Sequence, residues 1–261
     1  MDNQTTTQSM SQEPSKAGHT FLASLGKTRL RPGGVEASDW LINNAHFTSS
    51  SHVLEIACNM ATTSIEIGKK YGCHIIAIDM DDNALSHAQK NVDSAQLSHL
   101  IQLTKANALS LPFPDNTFDI VINEAMLTMY ADKAKAKLVK EYYRVLKPGG
   151  LLLTHDIMKK NDDVNRDKLI DVVKSNVAPM FKQEWYDLFI NIGFSEVKIK
   201  SGNMSLMSPV GLIRDEGLFR TAKIIKNGLV NKQNRPRFLS MFRFFRENRH
   251  VLNYIACCSK K

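Results

Sequence analysis

The sequence predicts an α/β fold, an open doubly wound sheet with helices on both faces and right-handed crossovers. Three observations carry this. Apolar runs rich in β-branched residues recur five times between residues 52 and 156. Helical patterns separate them, and two of the runs are almost continuously hydrophobic, as strands buried on both faces must be.

Taken in order, the first 20 residues (MDNQTTTQSMSQEPSKAGHT) are polar and read as a disordered tail. They lack the apolar core of a signal peptide. One domain over 21–261 follows, since 261 residues with 43% hydrophobic content can bury a full core. On one of two readings of LRPGG (30–34), a Pro32-Gly33 turn starts a helix through Ala37–Asn44. The five runs are HVLEIAC (52–58), HIIAID (74–79), LIQLTKA (100–106), FDIVIN (118–123) and LLLTHD (151–156). Between them, residues 61–72, 81–92 and 132–146 read as helices, closed by Gly72, Asn91 and the Lys147-Pro148-Gly149-Gly150 turn. Beyond Asp156 the pattern predicts a helix over 162–180, a helix over 183–194 ended by Gly193, and a strand over 195–202. A basic helical insertion spans about 203–250. Its first helix starts at Ser208-Pro209, an N-cap followed by proline at the first helical position. Its second starts near Arg235-Pro236, with Phe238, Met241, Phe242 and Phe245 on one stripe. VLNYIACC (251–258) reads as a returning edge strand, with the Cys257 and Cys258 thiols on opposite faces.

Composition narrows the function. No apolar run approaches the roughly 18–20 residues of a membrane span, so a cytoplasmic protein is expected. Neither the four cysteines nor the eight histidines have metal-ligand spacing, and no metal is expected. The net charge of +8 is concentrated after Ser201, where twelve Lys/Arg face three acids. These charges first fit a substrate lid or a packed outer layer facing solvent. Attraction to an anionic substrate or a membrane surface is their second role.

Chemistry gathers at the strand ends, where open α/β sheets bind ligands. The first strand carries Glu55 and an ACNMATT loop, the second ends in Asp79 and Met80, the third at Asn107-Ala108, and the fourth at Asn123-Glu124. A carboxylate at the second tip can accept from both hydroxyls of a ribose with charge-assisted strength. An apolar residue after it can cover an adenine face, and an amide at the third tip can read the base edge. Together they describe an adenosine site.

The segments VLEIACNMATT, IIAIDMD and LPFPDNTFDIVI, with RVLKPGG downstream, resemble the class I S-adenosylmethionine-dependent methyltransferases, in particular the small-molecule branch with ubiquinone/menaquinone and sarcosine/phosphoethanolamine enzymes. The resemblance spans Arg29 to Ile157, with a weaker echo to about Ile199. It implies a Rossmann-like seven-stranded sheet, mostly parallel, whose antiparallel last strand is VLNYIACC. It also implies S-adenosylmethionine as methyl donor and S-adenosylhomocysteine as product. Carried over by position, Glu55 lies near the methionine moiety, Asp79 holds the ribose and Met80 packs on the adenine. Asn107, where the family usually has aspartate, and Ala108 read the adenine edge, and Asn123 lines the methionine end. In the family's glycine-rich loop the glycine positions are held here by Ala57, Asn59 and Ala61. Alanine adds a single methyl group, and asparagine tolerates a left-handed backbone better than other side chains do. Functional binding is therefore expected, with the N–H groups of Thr62 and Thr63 facing the ligand.

Two assignments stay open. Arg31, in LRPGG, either pairs with the methionine carboxylate or belongs to an ordinary turn before a helix. His155, with Glu124 behind it, is either a base for an acceptor that must lose a proton or a strand-end residue against backbone or water, so no catalytic residue is assigned. Three other functions compete with this one. A nicotinamide-dependent oxidoreductase wants a third glycine where Thr62 stands. A nucleic-acid methyltransferase acting on base amines wants Asn/Asp-Pro-Pro-aromatic where Asn123-Glu124-Ala125-Met126 stands, so nucleic acid is not the expected partner. A cofactor-binding protein without turnover would fit a degenerate loop. The expected function is methylation of a small-molecule acceptor.

Overall fold

The computed structural model describes residues 17–261. Residues 1–16 of the expected tail lie outside the described residues. The tail reading fails at its last three positions. Helix α1 (Gly18–Ser24) begins inside it, with Phe21 and Leu22 buried.

The five runs form strands β1 (His52–Ile56), β2 (His74–Asp79), β3 (Ile101–Lys105), β4 (Phe118–Glu124) and β5 (Leu146–Lys159). Short β6 (Met180–Phe181) pairs with the end of β5, and β7 (Glu196–Asn203) and β8 (Leu252–Lys260) complete the sheet. The order is β3-β2-β1-β4-β5-β8-β7. Strands β1 to β5 pair in parallel, and β8 runs antiparallel to both β5 and β7. Seven main strands with an antiparallel final strand are as expected. However, β8 is no edge strand: it is buried between β5 and β7, and Cys257 and Cys258 pack into opposite clusters.

Helices α2 (Gly34–Asn44), α3 (Thr62–Tyr71) and α4 (Asp82–Ser94) cover one face with Leu41, Ile67 and Val92. Helices α5 (Asp132–Val145) and α7 (Lys182–Ile192) cover the other with Val139, Tyr142, Trp185 and Phe189. Three boundaries differ most from expectation. Strand β5 begins at Leu146, so residues 147–150, expected as a turn closing α5, belong to the strand. Helix α4 runs past Asn91 to Ser94, because the left-handed residue that ends it is Gln96 (φ 59°). The helix expected over 162–180 is only α6 (Arg166–Val173). Asn165 caps its start, left-handed Lys174 ends it, and Pro179 forbids its resumption.

The basic pair is α8 (Pro209–Val230) and α9 (Arg235–Glu247), lying in the chain between β7 and β8. Ser208 caps α8 by accepting from the Gly211 N–H. Gly217 (φ 75°, ψ 166°) breaks α8 in two. Phe238, Met241 and Phe244 of α9 pack with Phe21, Leu22, Leu169 and Ile224 into a third apolar cluster, while Phe242 and Phe245 are partly buried against it.

Candidate active site

Chain order reverses between β1 and β4, so their carboxyl ends open a crevice. A cleft with about 820 Å³ of empty space, open mouth included, lies there. Its walls come from Glu55–Met60, Thr62 and Thr63 after β1, from Asp79, from Glu124–Met126 after β4, and from His19, Thr28, Leu30, Arg31 and Met129.

The loop after β1 takes up the glycine-type backbone without glycine. Ala57 (φ 54°), Asn59 (φ 49°) and Ala61 (φ 56°) are all left-handed. That winding brings the Cys58 N–H to the Ile78 carbonyl (2.9 Å) and the Asn59 N–H to Asp79 Oδ2 (2.9 Å). Asp79 Oδ1 accepts from the Asp81 N–H at 3.0 Å, so the carboxylate is fixed by backbone from both sides. Ala57→Gly removes about 1 kcal/mol of left-handed strain and returns about 0.4–1 kcal/mol through a freer unfolded chain. Stability in urea denaturation is therefore expected to stay level or rise, and a clear loss would show that Ala57 is unstrained.

Ala61 is the N-cap of α3 and offers no capping side chain. Glu55 does this work: its Oε2 accepts the Ser64 N–H (3.0 Å) and the Ser64 hydroxyl, an acid at the positive end of a helix. Burial pushes the Glu55 carboxyl up from 4.5 to about 7, with Glu124 adding to the rise and Ser64 and Arg31 opposing it. Between those values the folded chain holds a proton that the unfolded chain has released. Stability therefore falls as pH rises from 4.5 through about 7. Glu55→Gln is expected to flatten that slope, read by urea denaturation at several pH values in the window. An unchanged slope would assign the proton elsewhere.

Glu124 sits at the centre of a buried network. Arg31 Nε lies 2.9 Å from its Oε2, which also accepts the Thr63 hydroxyl at 2.7 Å. Its Oε1 accepts the Ser38 hydroxyl (3.0 Å) and contacts His155 Nδ1 (3.2 Å). Burial alone would raise this carboxyl, but Arg31, His155 and Thr63 together hold it down at about 2. The other Arg31 nitrogens donate to Ser38 and Thr63, so each guanidinium nitrogen has a partner.

His155 is fully buried and is not part of the cleft wall. Its Nε2 accepts from the Gly33 N–H at 2.9 Å, which leaves Nδ1 to donate to Glu124. This is the contact with backbone that the plainer reading of His155 describes. Asn123 also stands outside the cleft. Successive strand residues face opposite sides, so with Glu124 turned in, Asn123 is buried against Met126 and Tyr142. Met80 (59% exposed), exposed Asn107 and buried Ala108 follow the ends of β2 and β3 and are not part of the cleft wall, and Asn107 Oδ1 accepts from the Leu109 N–H.

The segment before α2 is stapled from outside. Glu216 of α8 accepts from the N–H groups of Thr28 and Arg29 (both 2.9 Å) and from the Thr28 hydroxyl (2.8 Å), and Asp215 accepts from the Val35 N–H (3.1 Å). Gly34 (φ 57°) is required there, since a Cβ would meet the Asp215 carboxylate at 2.1 Å. His19, Thr28 and Leu30 are wall residues that the sequence pattern does not single out. The only sequence signal for His19 was the short apolar pattern Phe21-Leu22 beside it.

A second, apolar chamber adjoins the cleft. Leu22, Pro32, Ile157, Val177, Met241 and Phe245 line it, and it shares His19, Leu30, Ala125 and Met129 with the cleft.

Residues 53–150 match the family model described as a methyltransferase domain. An uncharacterized protein of Haemophilus influenzae is 51% identical over 251 residues, 94% of this chain and 98% of that one. The chain carries a methyltransferase domain with the fold of the class I S-adenosylmethionine-dependent enzymes. A demethylmenaquinone methyltransferase of Lactiplantibacillus plantarum is 37% identical over 110 residues, 41% of this chain. The match spans 46% of that enzyme's length. Among solved structures of this fold, a Haemonchus contortus phosphoethanolamine N-methyltransferase 2 in complex with S-adenosyl-L-methionine superposes with a TM-score of 0.75 at 15% identity, covering 94% of this chain and 56% of that one. No helix among the described residues of the methyltransferase is long and apolar enough to cross a membrane.

Proposed function

We propose that this methyltransferase binds S-adenosylmethionine in the cleft and passes its methyl group to a small molecule with an apolar body held in the adjoining chamber. The observation that carries this reading is the shared wall. A polar cleft at the topological switch point and an apolar chamber meet at His19, Leu30, Ala125 and Met129.

The donor set suits the cofactor. Asp79, fixed by two backbone N–H groups, keeps acceptor capacity for the ribose hydroxyls. The Thr62 N–H opens α3 toward the ligand. Both Ser64 bonds go to Glu55 Oε2, which leaves Oε1 for the methionine end. The adenine extends past Asp79 toward Met80 and the Asn107-Ala108 turn. Glu124 and Ala125 take the place beside the methionine end first given to Asn123, and Arg31 holds Glu124 there. The cofactor supplies an electrophilic methyl group for in-line displacement. The chain supplies alignment and a dry chamber. An acceptor that must lose a proton meets His19. Burial lowers that imidazole's pKa despite the raising effect of Asp79 and Asp81, so it is neutral and can accept.

Calorimetric titration with S-adenosylmethionine and S-adenosylhomocysteine, followed by transfer of labelled methyl into a panel of apolar metabolites, tests the reading. Binding and transfer are expected. No binding of either ligand overturns it, and binding without any transfer leaves a regulatory protein instead.

A further inference from the structure

The outer face of the second half of α8 is apolar, and nothing among the described residues covers it. Leu218, Ala222, Ile225 and Leu229 form a stripe at helical spacing, flanked by Phe219 and Val230. Phe219 is 95% exposed, Val230 70% and Leu218 68%. Such a run of large side chains in water is uncommon in a protein surface without a partner. Lys223 and Lys226 lie on the same outer side, both exposed.

We infer that this face docks the protein on an anionic membrane surface. Charge identifies the occupant. From Pro209 to His250 the chain carries ten Lys/Arg and three acids. Asp215 and Glu216 have fully buried side chains turned to the segment before α2, which leaves Glu247 as the exposed acid of the pair. An apolar stripe rimmed by cations is the pattern of a helix that lies in the headgroup layer. A second copy fits poorly, because a two-fold contact would bring the same cations face to face. Nucleic acid fits poorly as well. Bases stack on aromatic planes, and this face offers aliphatic side chains with the single ring of Phe219. Gly217 contributes by breaking the helix just before the face, so the first half of α8 stays stapled while the second half is presented outward. The docking stands on this surface alone and does not depend on the methyl-transfer reading.

Flotation of the full chain with vesicles tests it. With about 30% phosphatidylglycerol in phosphatidylcholine at about 0.1 M salt, the protein is expected to float, and pure phosphatidylcholine or about 0.5 M salt should reduce binding roughly tenfold. Phe219→Asp and the double change Lys223→Glu/Lys226→Glu should each reduce it roughly tenfold or more with the thermal midpoint and S-adenosylmethionine titration unchanged. Absence of flotation on anionic vesicles overturns the inference, as does equal binding by wild type and Phe219→Asp. So does a concentration-dependent dimer in sedimentation velocity that Phe219→Asp abolishes, which would give the face to a second copy. Salt-sensitive retention on RNA with no vesicle binding would give it to nucleic acid.

Discussion

Replacing Asp79 with alanine is expected to weaken S-adenosylmethionine binding by about 100-fold or more. The carboxylate stands at the end of β2, where the Asn59 and Asp81 N–H groups hold one oxygen each. A ribose donating two hydrogen bonds to a charged acceptor gains about 1.5 kcal/mol or more from each, and two such bonds multiply to that factor. The variant also frees the Asn59 N–H, so the left-handed loop loses its tie to β2 and the cofactor meets a less ordered cradle. Calorimetric titration measures the affinity, and a thermal scan separates it from loss of fold, since Asp79 is only half-buried. An affinity within a few-fold of wild type would remove Asp79 from the ribose and with it the orientation proposed for the ligand.

Replacing Arg31 with alanine is expected to cost about 3–5 kcal/mol of stability, the range for breaking one side of a buried ion pair. Arg31 and Glu124 have side chains exposed by 8% and 9%. Without the guanidinium, burial dominates and the Glu124 carboxyl moves up from about 2. Sign matters here. The depressed carboxyl contributes stability above 4.5 that the wild type loses as pH falls toward about 2, and the variant lacks it at neutral pH already. Urea denaturation measures the loss. Arg31→Ala/Glu124→Gln is expected to recover part of it, because no charge is then left unpaired. A loss below about 1 kcal/mol would mean that solvent reaches the pair and that the network is a surface feature.

Much of the fold was legible because the sheet is buried on both faces. Runs such as HIIAID and FDIVIN have no polar side to confuse their period, and their ends bracket β2 and β4 to within a residue. The left-handed loop was legible for a different reason: alanine and asparagine stand where a glycine pattern would, and all three take positive φ. Reading failed where tertiary contacts decide. The stretch 162–180 has helical composition, yet Lys174 and Pro179 confine the helix to eight residues. At the site, which of Asn123 and Glu124 faces the cleft depends on strand phase, which fixes Glu124 inward. The engagement of His155 with the Gly33 N–H depends on a segment 122 residues away in sequence. His19 was hidden in a stretch whose composition resembles a tail.

The residues from Thr28 to Val35 are gripped at both ends of their path, by Glu124 through Arg31 inside and by Asp215 and Glu216 outside. That makes the basic helices and the nucleoside cradle one mechanical unit. Swinging the first half of α8 away would tear four donors from two carboxylates or drag Arg31 off Glu124, so a hinge under α8 is a costly way to open the cleft.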